Sequence, residues 1–190
     1  MTDGFIPAHG GFKDLLAYQK SVIVYDATVH FCDRFIAKHG DRTRDQMIQA
    51  ARSGKQNIVE GSQASGTSKE TELKLTNVAR ASLEELAEDY RDFLRLRGAE
   101  EWPTTHPYAQ RLRALNRQPE ANYETFRKGI EHEDPIIAAN VILGLTRVTC
   151  YLLDQQLKHL EHAFLEAGGL RERMTRARLD HRSHPRNPSS

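Results

Sequence analysis

The sequence predicts an all-α protein, an antiparallel up-and-down four-helix bundle with a partly helical insertion between its third and fourth helices. Three observations predict it. Apolar residues recur at spacings of three and four along four long stretches. Capping residues, glycines and prolines bound most of those stretches. The composition, 38% apolar, 28% charged and 7% aromatic, suits narrow buried stripes on helices with wide solvated faces.

The first helix is expected at about 12–39, after a flexible leader over 1–11. Leu15, Tyr18, Val22, Tyr25, Val29, Cys32 and Ile36 form a heptad-like stripe that no strand could hold on one face. Gly40 then supplies a left-handed C-terminal residue. The second helix is expected at about 43–60 with Gly61 as its stop, and Met47, Ala51, Gly54 and Ile58 share its inner face. Gly54 costs roughly 1 kcal/mol relative to alanine inside a helix, so its presence predicts close contact with a neighbouring helix. Residues 62–67 read as a turn, with Thr67 and Glu70 as a capping box. The third helix, about 68–97, carries Leu75, Ala79, Leu83, Leu86, Tyr90 and Phe93, and Gly98 ends it.

Prolines interrupt the insertion at 99–133, which holds two short candidate helices, Tyr108 to Asn116 and Glu120 to His132. Asp134 and Pro135 then give a cap and a first-turn proline for the fourth helix, about 135–167. Val141, Leu145, Leu153 and Leu160 belong to its apolar faces, and Gly168 and Gly169 terminate it. The remainder, 169–190, contains six arginines against two acids and is expected to be disordered. Four amphipathic helices can bury their stripes only against one another.

Charge and cysteine usage exclude several classes. A net charge of +1 gives no global field for a polyanion. Cys32 and Cys150 stand apart, inside apolar patterns, and read as core thiols rather than a disulfide or metal pair. With neither a signal peptide nor a bilayer-length apolar stretch expected, the chain reads as cytoplasmic with no membrane partner.

The text Gln46–Ser53, Asn57-Ile58-Val59-Glu60-Gly61, Ser68-Lys69-Glu70 and Ala79–Leu86, with Phe12–Leu15 and Tyr18-Gln19 before it, resembles one family. It is similar to the four-helix-bundle proteins related to the 23S rRNA intervening-sequence proteins, which include the four-helix-bundle suffix domain. The resemblance covers about residues 12–97. It implies a non-enzymatic up-and-down bundle that assembles into a five-fold ring. Relatives include the accessory variability protein of diversity-generating retroelements, a pentamer that binds nucleic acid and a reverse transcriptase. The chain departs from the family pattern at Gly54-Lys55, where many relatives have an apolar residue and a proline, in its long insertion, and in its Arg-rich tail.

No residues assemble into a catalytic set, no cofactor motif is present, and no metal site is expected. His159 and His162, one helical turn apart, lack the Glu-x-x-His pattern of di-iron bundles and read as a solvated helix end. Asn57, Glu60, Gly61 and Ser82 match the family motif. Their structural reading has Glu60 and Gly61 close the second helix while Asn57 and Ser82 hydrogen-bond between helices. Arg80 and Arg91 are expected to pair with nearby acids. The candidate nucleic-acid-binding residues are Arg42, Arg44, Arg52 and Lys55 on the second helix, with Arg171, Arg173, Arg176 and Arg178 in the tail. Repeated around a homopentamer they form a polyvalent basic surface. The functional expectation is a homo-oligomeric scaffold binding RNA or DNA with low sequence preference. The alternative is an interaction module that recruits a protein, such as a reverse transcriptase, through its ring surface or the 99–133 insertion.

Overall fold

Helix-forming runs bounded by caps dominate the chain, and the computed structural model, which describes residues 10–36, 42–118, 120–167 and 170–183, is all-α over those residues with no strand. A short 3-10 turn, Phe12–Asp14, leads into α1 (Leu16–Phe35). There follow α2 (Arg42–Ala64), α3 (Lys69–Arg95), α4 (Pro107–Asn116), α5 (Tyr123–Ile130), α6 (Pro135–Ala167) and α7 (Leu170–Ser183). Helix α2 packs on α1 and α3, and α6 packs on the same two helices from the other side. The predicted Gly40 and Gly168-Gly169 stops and most of the leader lie outside the described residues.

The inner face of α1 differs from the predicted stripe. Ala17, Ser21, Val24, Thr28 and Phe31 are buried, whereas Tyr18, Val22, Tyr25 and Val29 are only half-buried. The two stripes are one residue apart, about 100° around the helix. Small side chains win the inner face because they let α1 approach its neighbours, and the polar ones among them are satisfied. Tyr90 Oη donates to Thr28 Oγ1 at 3.1 Å, and Ser21 Oγ donates to the Tyr18 carbonyl at 2.7 Å. Phe31 meets Tyr90 and Phe93 edge-on at centroid distances of 5.1 and 4.8 Å, a favoured aromatic geometry.

The small-residue face of α2 behaves as its sequence predicts. A Cβ added at Gly54 would stand 2.6 Å from Leu83 Cγ, so the glycine is the space into which Leu83 of α3 fits. Met47, Ala51 and Ile58 are buried beside it. Helix α2 nevertheless does not stop at Gly61. It runs to Ala64, because Gly61 packs on α3, 3.4 Å from Leu75 Cβ if given a Cβ of its own, and glycine there serves packing rather than termination.

The start of α3 also moves by one residue. Ser68, with extended backbone, accepts a hydrogen bond from Thr71 N at 3.1 Å, while Thr67 Oγ1 donates back to the Ala64 carbonyl. Ser68 and Thr71 therefore replace Thr67 and Glu70 as the capping pair. At the other end Gly98, at φ +69°, lets the chain close with Ala99 N donating to the Leu94 carbonyl at 3.0 Å.

Helix α6 is apolar on more than one side and buries a continuous run from Ala138 to Leu143. This corrects the expectation that no stretch has the length and apolarity to span a bilayer. Pro135–Glu166 meets both criteria, with a window of mean hydropathy 1.8 that is 56% buried. An internal helix packed on several neighbours meets the same criteria. Its cap is as predicted, since Asp134 Oδ1 accepts from Ile136 N at 2.8 Å. The tail departs from the expected disorder over Leu170–Ser183, which is helical. That stretch has no proline or glycine and many good helix formers.

Candidate functional site

The segment between α3 and α6 straps across the other helices through specific contacts. Asn140 of α6 holds its start: Oδ1 accepts from Trp102 N at 2.8 Å, and Nδ2 donates to the Glu100 carbonyl at 3.4 Å. Lys20 of α1, buried, sends Nζ to the Ala121 carbonyl at 3.5 Å and lies over the Phe126 ring. Its burial lowers the Lys20 pKa. Arg34 donates to the Glu131 carbonyl at 2.8 Å. Helix α5 starts on a capping box made by Asn122 and Thr125 and buries Phe126 and Ile130. It is shorter than the predicted 120–132 because Asn122 takes the cap.

Helix α4 stands on α6 through one close contact. A Cβ at Gly144 would lie 2.4 Å from Leu112 Cδ2, so Leu112 seats on bare backbone. With Leu112 inward, the helical repeat sends Ala109, Arg113 and Asn116 to one flank and Tyr108, Arg111 and Leu115 to the other. A cleft lies on each side. The first, about 420 Å³, runs between α4 and α6 and includes Trp102, Arg113, Asn116, Arg147 and Tyr151 in its walls. The second, about 440 Å³, runs between α4 and α5 and includes Trp102, Tyr108, Arg111, Lys128 and His132.

The electrostatics of this region are uneven. Between Glu101 and Glu120 the sequence has no acidic residue and three arginines, Arg111, Arg113 and Arg117. All three are exposed and make no ion pair among the described residues. Beside them Trp102 stacks on His106, with centroids 4.7 Å apart and planes 5° from parallel, and contacts Tyr108 at 5.4 Å. Glu101 sits between two guanidiniums, accepting from Arg91 Nε at 2.9 Å and from Arg147. Burial pushes its carboxyl up, but those two arginines outweigh burial and hold it below its ordinary value. The next groove, between α3 and α6, has the opposite sign, with Glu84, Glu85, Glu88 and Asp154 in its walls.

The residues singled out from the sequence fall into several environments. Arg42 and Arg52 are exposed and without an ion pair among the described residues. Arg44 is engaged, 2.6 Å from Asp33 and 3.5 Å from Asp45. Lys55 lies over the Tyr25 ring at 4.1 Å, near Asp26. Half of the α2 set is thus occupied within the chain. Arg176 and Arg178 are exposed on α7; Arg171 and Arg173 lie in the same helix, their side chains outside the described ones.

Among the motif residues Ser82 bonds across helices, whereas Asn57, expected to do the same, bonds within α2. Ser53 Oγ and Ser82 Oγ are 3.0 Å apart across α2 and α3, and Asn57 Nδ2 donates to the Ser53 carbonyl and hydroxyl at 2.9 and 3.2 Å. Glu60 is exposed in mid-helix. Arg80 pairs with Glu84 and Asp154, and Arg91 with Glu88 and Glu101. His162 faces Glu166 on an exposed helix end, and among the described residues no three His, Cys, Asp or Glu side chains converge as metal ligands would.

The arginines of α4 and their aromatic neighbours went unread in the sequence as a site. Their signal was available: an acid-free run from Trp102 to Pro119 with three arginines in a chain of near-zero net charge. No protein-family model matches the chain, and no curated protein or solved structure matches it either.

Proposed function

We propose that this chain is a non-enzymatic helical scaffold, an up-and-down four-helix bundle that self-assembles and binds nucleic acid with little sequence preference. Support for the bundle comes from α1, α2, α3 and α6 each packing on two of the other three. Self-assembly into the five-fold ring that the resemblance implies has its candidate contact in Val22 and Val29, left half-buried along α1. The observation that carries the nucleic-acid reading is on α4. Arg113 and Arg111, neither with an ion pair among the described residues, share with Trp102 the walls of the clefts on either flank of α4, and Arg117, likewise without one, lies one turn beyond Arg113.

Unpaired guanidiniums release counterions from phosphates, and an exposed ring such as Tyr108 stacks on bases whatever their sequence. The basic contacts of this reading centre on α4, with Arg42 and Arg52 as supplements. Light scattering tests the assembly, with a multiple of the 21.7 kDa chain expected. Gel retardation of a single-stranded oligonucleotide tests the binding. Retardation at low salt that fades as salt rises is expected, and none at low salt would end the nucleic-acid reading.

A second reading, recruitment of a protein partner through the insertion, is favoured by Tyr108, 55% exposed beside the α4–α5 cleft. Pull-down with the wild-type chain but not a Tyr108→Ala variant would select it.

A further inference from the structure

We infer that the cleft between α4 and α6 binds a mononucleotide-sized ligand: a flat ring joined to a phosphate. This goes beyond the scaffold reading, because it needs neither assembly nor a polynucleotide. Size and shape come first. At about 420 Å³ the cleft falls in the range of small-molecule sites, and it is open to solvent along one side. Trp102 and Tyr151 give it aromatic walls, while Leu112 and Gly144 form an apolar base. Tyr151 is 61% exposed, so its ring is accessible from the cleft.

Charge comes second. Arg113 lines the cleft with no ion pair among the described residues, and Arg147 reaches in while shared with Glu101. Glu101 is itself held between Arg91 and Arg147. Two guanidiniums against one already-satisfied carboxylate leave a site for an anion, and guanidinium geometry suits phosphate. The acidic groove on the other side of Arg147 repels the same ligand, so the charge pattern also selects the cleft.

A plain inorganic anion satisfies only the arginines, and a neutral ring only the walls.

Trp102 is the only tryptophan in the chain and lines both this cleft and the α4–α5 one, so its fluorescence reports on either and the Arg113 variant assigns the signal. The test titrates the wild-type chain with adenosine monophosphate, phenyl phosphate, adenosine and a short single-stranded oligoadenylate. An Arg113→Ala variant follows; Arg113 lines this cleft and not the α4–α5 one. Saturable change with adenosine monophosphate is expected, weakened about tenfold or more by Arg113→Ala. Adenosine, lacking phosphate, is expected to bind much more weakly. Phenyl phosphate, itself a ring joined to a phosphate, should bind with the same dependence on Arg113. No saturable change with adenosine monophosphate, a signal from the oligoadenylate alone, or a change indifferent to Arg113→Ala would overturn the proposal. Retardation of oligonucleotides with silent Trp102 would do so while leaving the scaffold reading standing.

Discussion

Replacing Gly54 with alanine tests the packing on which the α2–α3 contact is built. In an isolated helix the change stabilises by about 1 kcal/mol, through lower chain entropy and better propensity. Here the new methyl would sit 2.6 Å from Leu83 Cγ and 2.7 Å from Cδ2, well inside contact distance. Leu83 is fully buried, and its Cγ cannot retreat without moving the whole side chain. Overpacking of this kind costs about 1–3 kcal/mol. The net expectation is a loss of roughly 0–2 kcal/mol, which lowers the melting temperature by up to about 8 °C at 2–4 °C per kcal/mol for a chain of this size. A double-mutant cycle isolates the clash. Leu83→Ala removes the offending carbons, so adding Gly54→Ala to that background should stabilise by about 0.5–1 kcal/mol instead. Urea melts of the four proteins measure the cycle. A Gly54→Ala change that stabilises equally in both backgrounds would refute the close-approach account.

Three further predictions follow from individual groups. Burial raises the Asp89 pKa from 3.8 to about 6, helped by Glu85 and Asp92 on the same helix. The folded chain therefore holds more protons than the unfolded one between those values, so this carboxyl's contribution to stability falls as pH rises through the window. Asp89→Asn should stabilise above about pH 7 by ~1–3 kcal/mol, the upper figure being two pKa units before solvent screening, and change little near pH 3.5; equal effects at both pH values would contradict the reasoning. The thiols should be inert: Cys32 is fully buried, and burial with Glu84 and Asp154 nearby pushes Cys150 up to about 11. A thiol reagent at about pH 8 should label the native chain slowly and both cysteines quickly in denaturant, and a fast native phase would argue otherwise. Asp134→Ala removes the acceptor that holds Ile136 N and should cost about 0.5–2 kcal/mol in thermal melts.

What the sequence made legible follows from how local each signal is. The inner faces of α2 and α3 were readable because Met47, Ile58, Leu83, Leu86 and Tyr90 are large, apolar and regularly spaced, and they are buried. The start of α6 was readable because Asp134 and Pro135 act on the backbone beside them. On α1 the same logic chose the stripe with the largest side chains, but close packing rewards Ala17, Ser21, Ala27 and Thr28, and the Thr28 hydroxyl finds Tyr90 only in the fold. The choice between Thr67 and Ser68 as a cap depends on one backbone angle, which spacing does not specify. The clefts beside α4 were harder still. They exist because Leu112 meets Gly144, residues 32 apart in sequence, and because Asn140 pins Trp102 from another helix. Arg44 and Lys55 illustrate the converse. Both looked like free cations in sequence, and tertiary partners on α1 occupy them.

The central claim is that polyanion recognition rests on α4 rather than on α2. Binding of a single-stranded oligonucleotide, measured across a range of salt concentrations, tests it most directly when wild type is set beside two variants. One carries Arg111→Ser, Arg113→Ser and Arg117→Ser; the other carries Arg42→Ser and Arg52→Ser. Each lost phosphate contact flattens the slope of log affinity against log salt by about 0.7 on single strands. The account predicts a slope shallower by about 2 in the α4 variant and a smaller change in the α2 variant. An α4 variant with wild-type slope and affinity would contradict it.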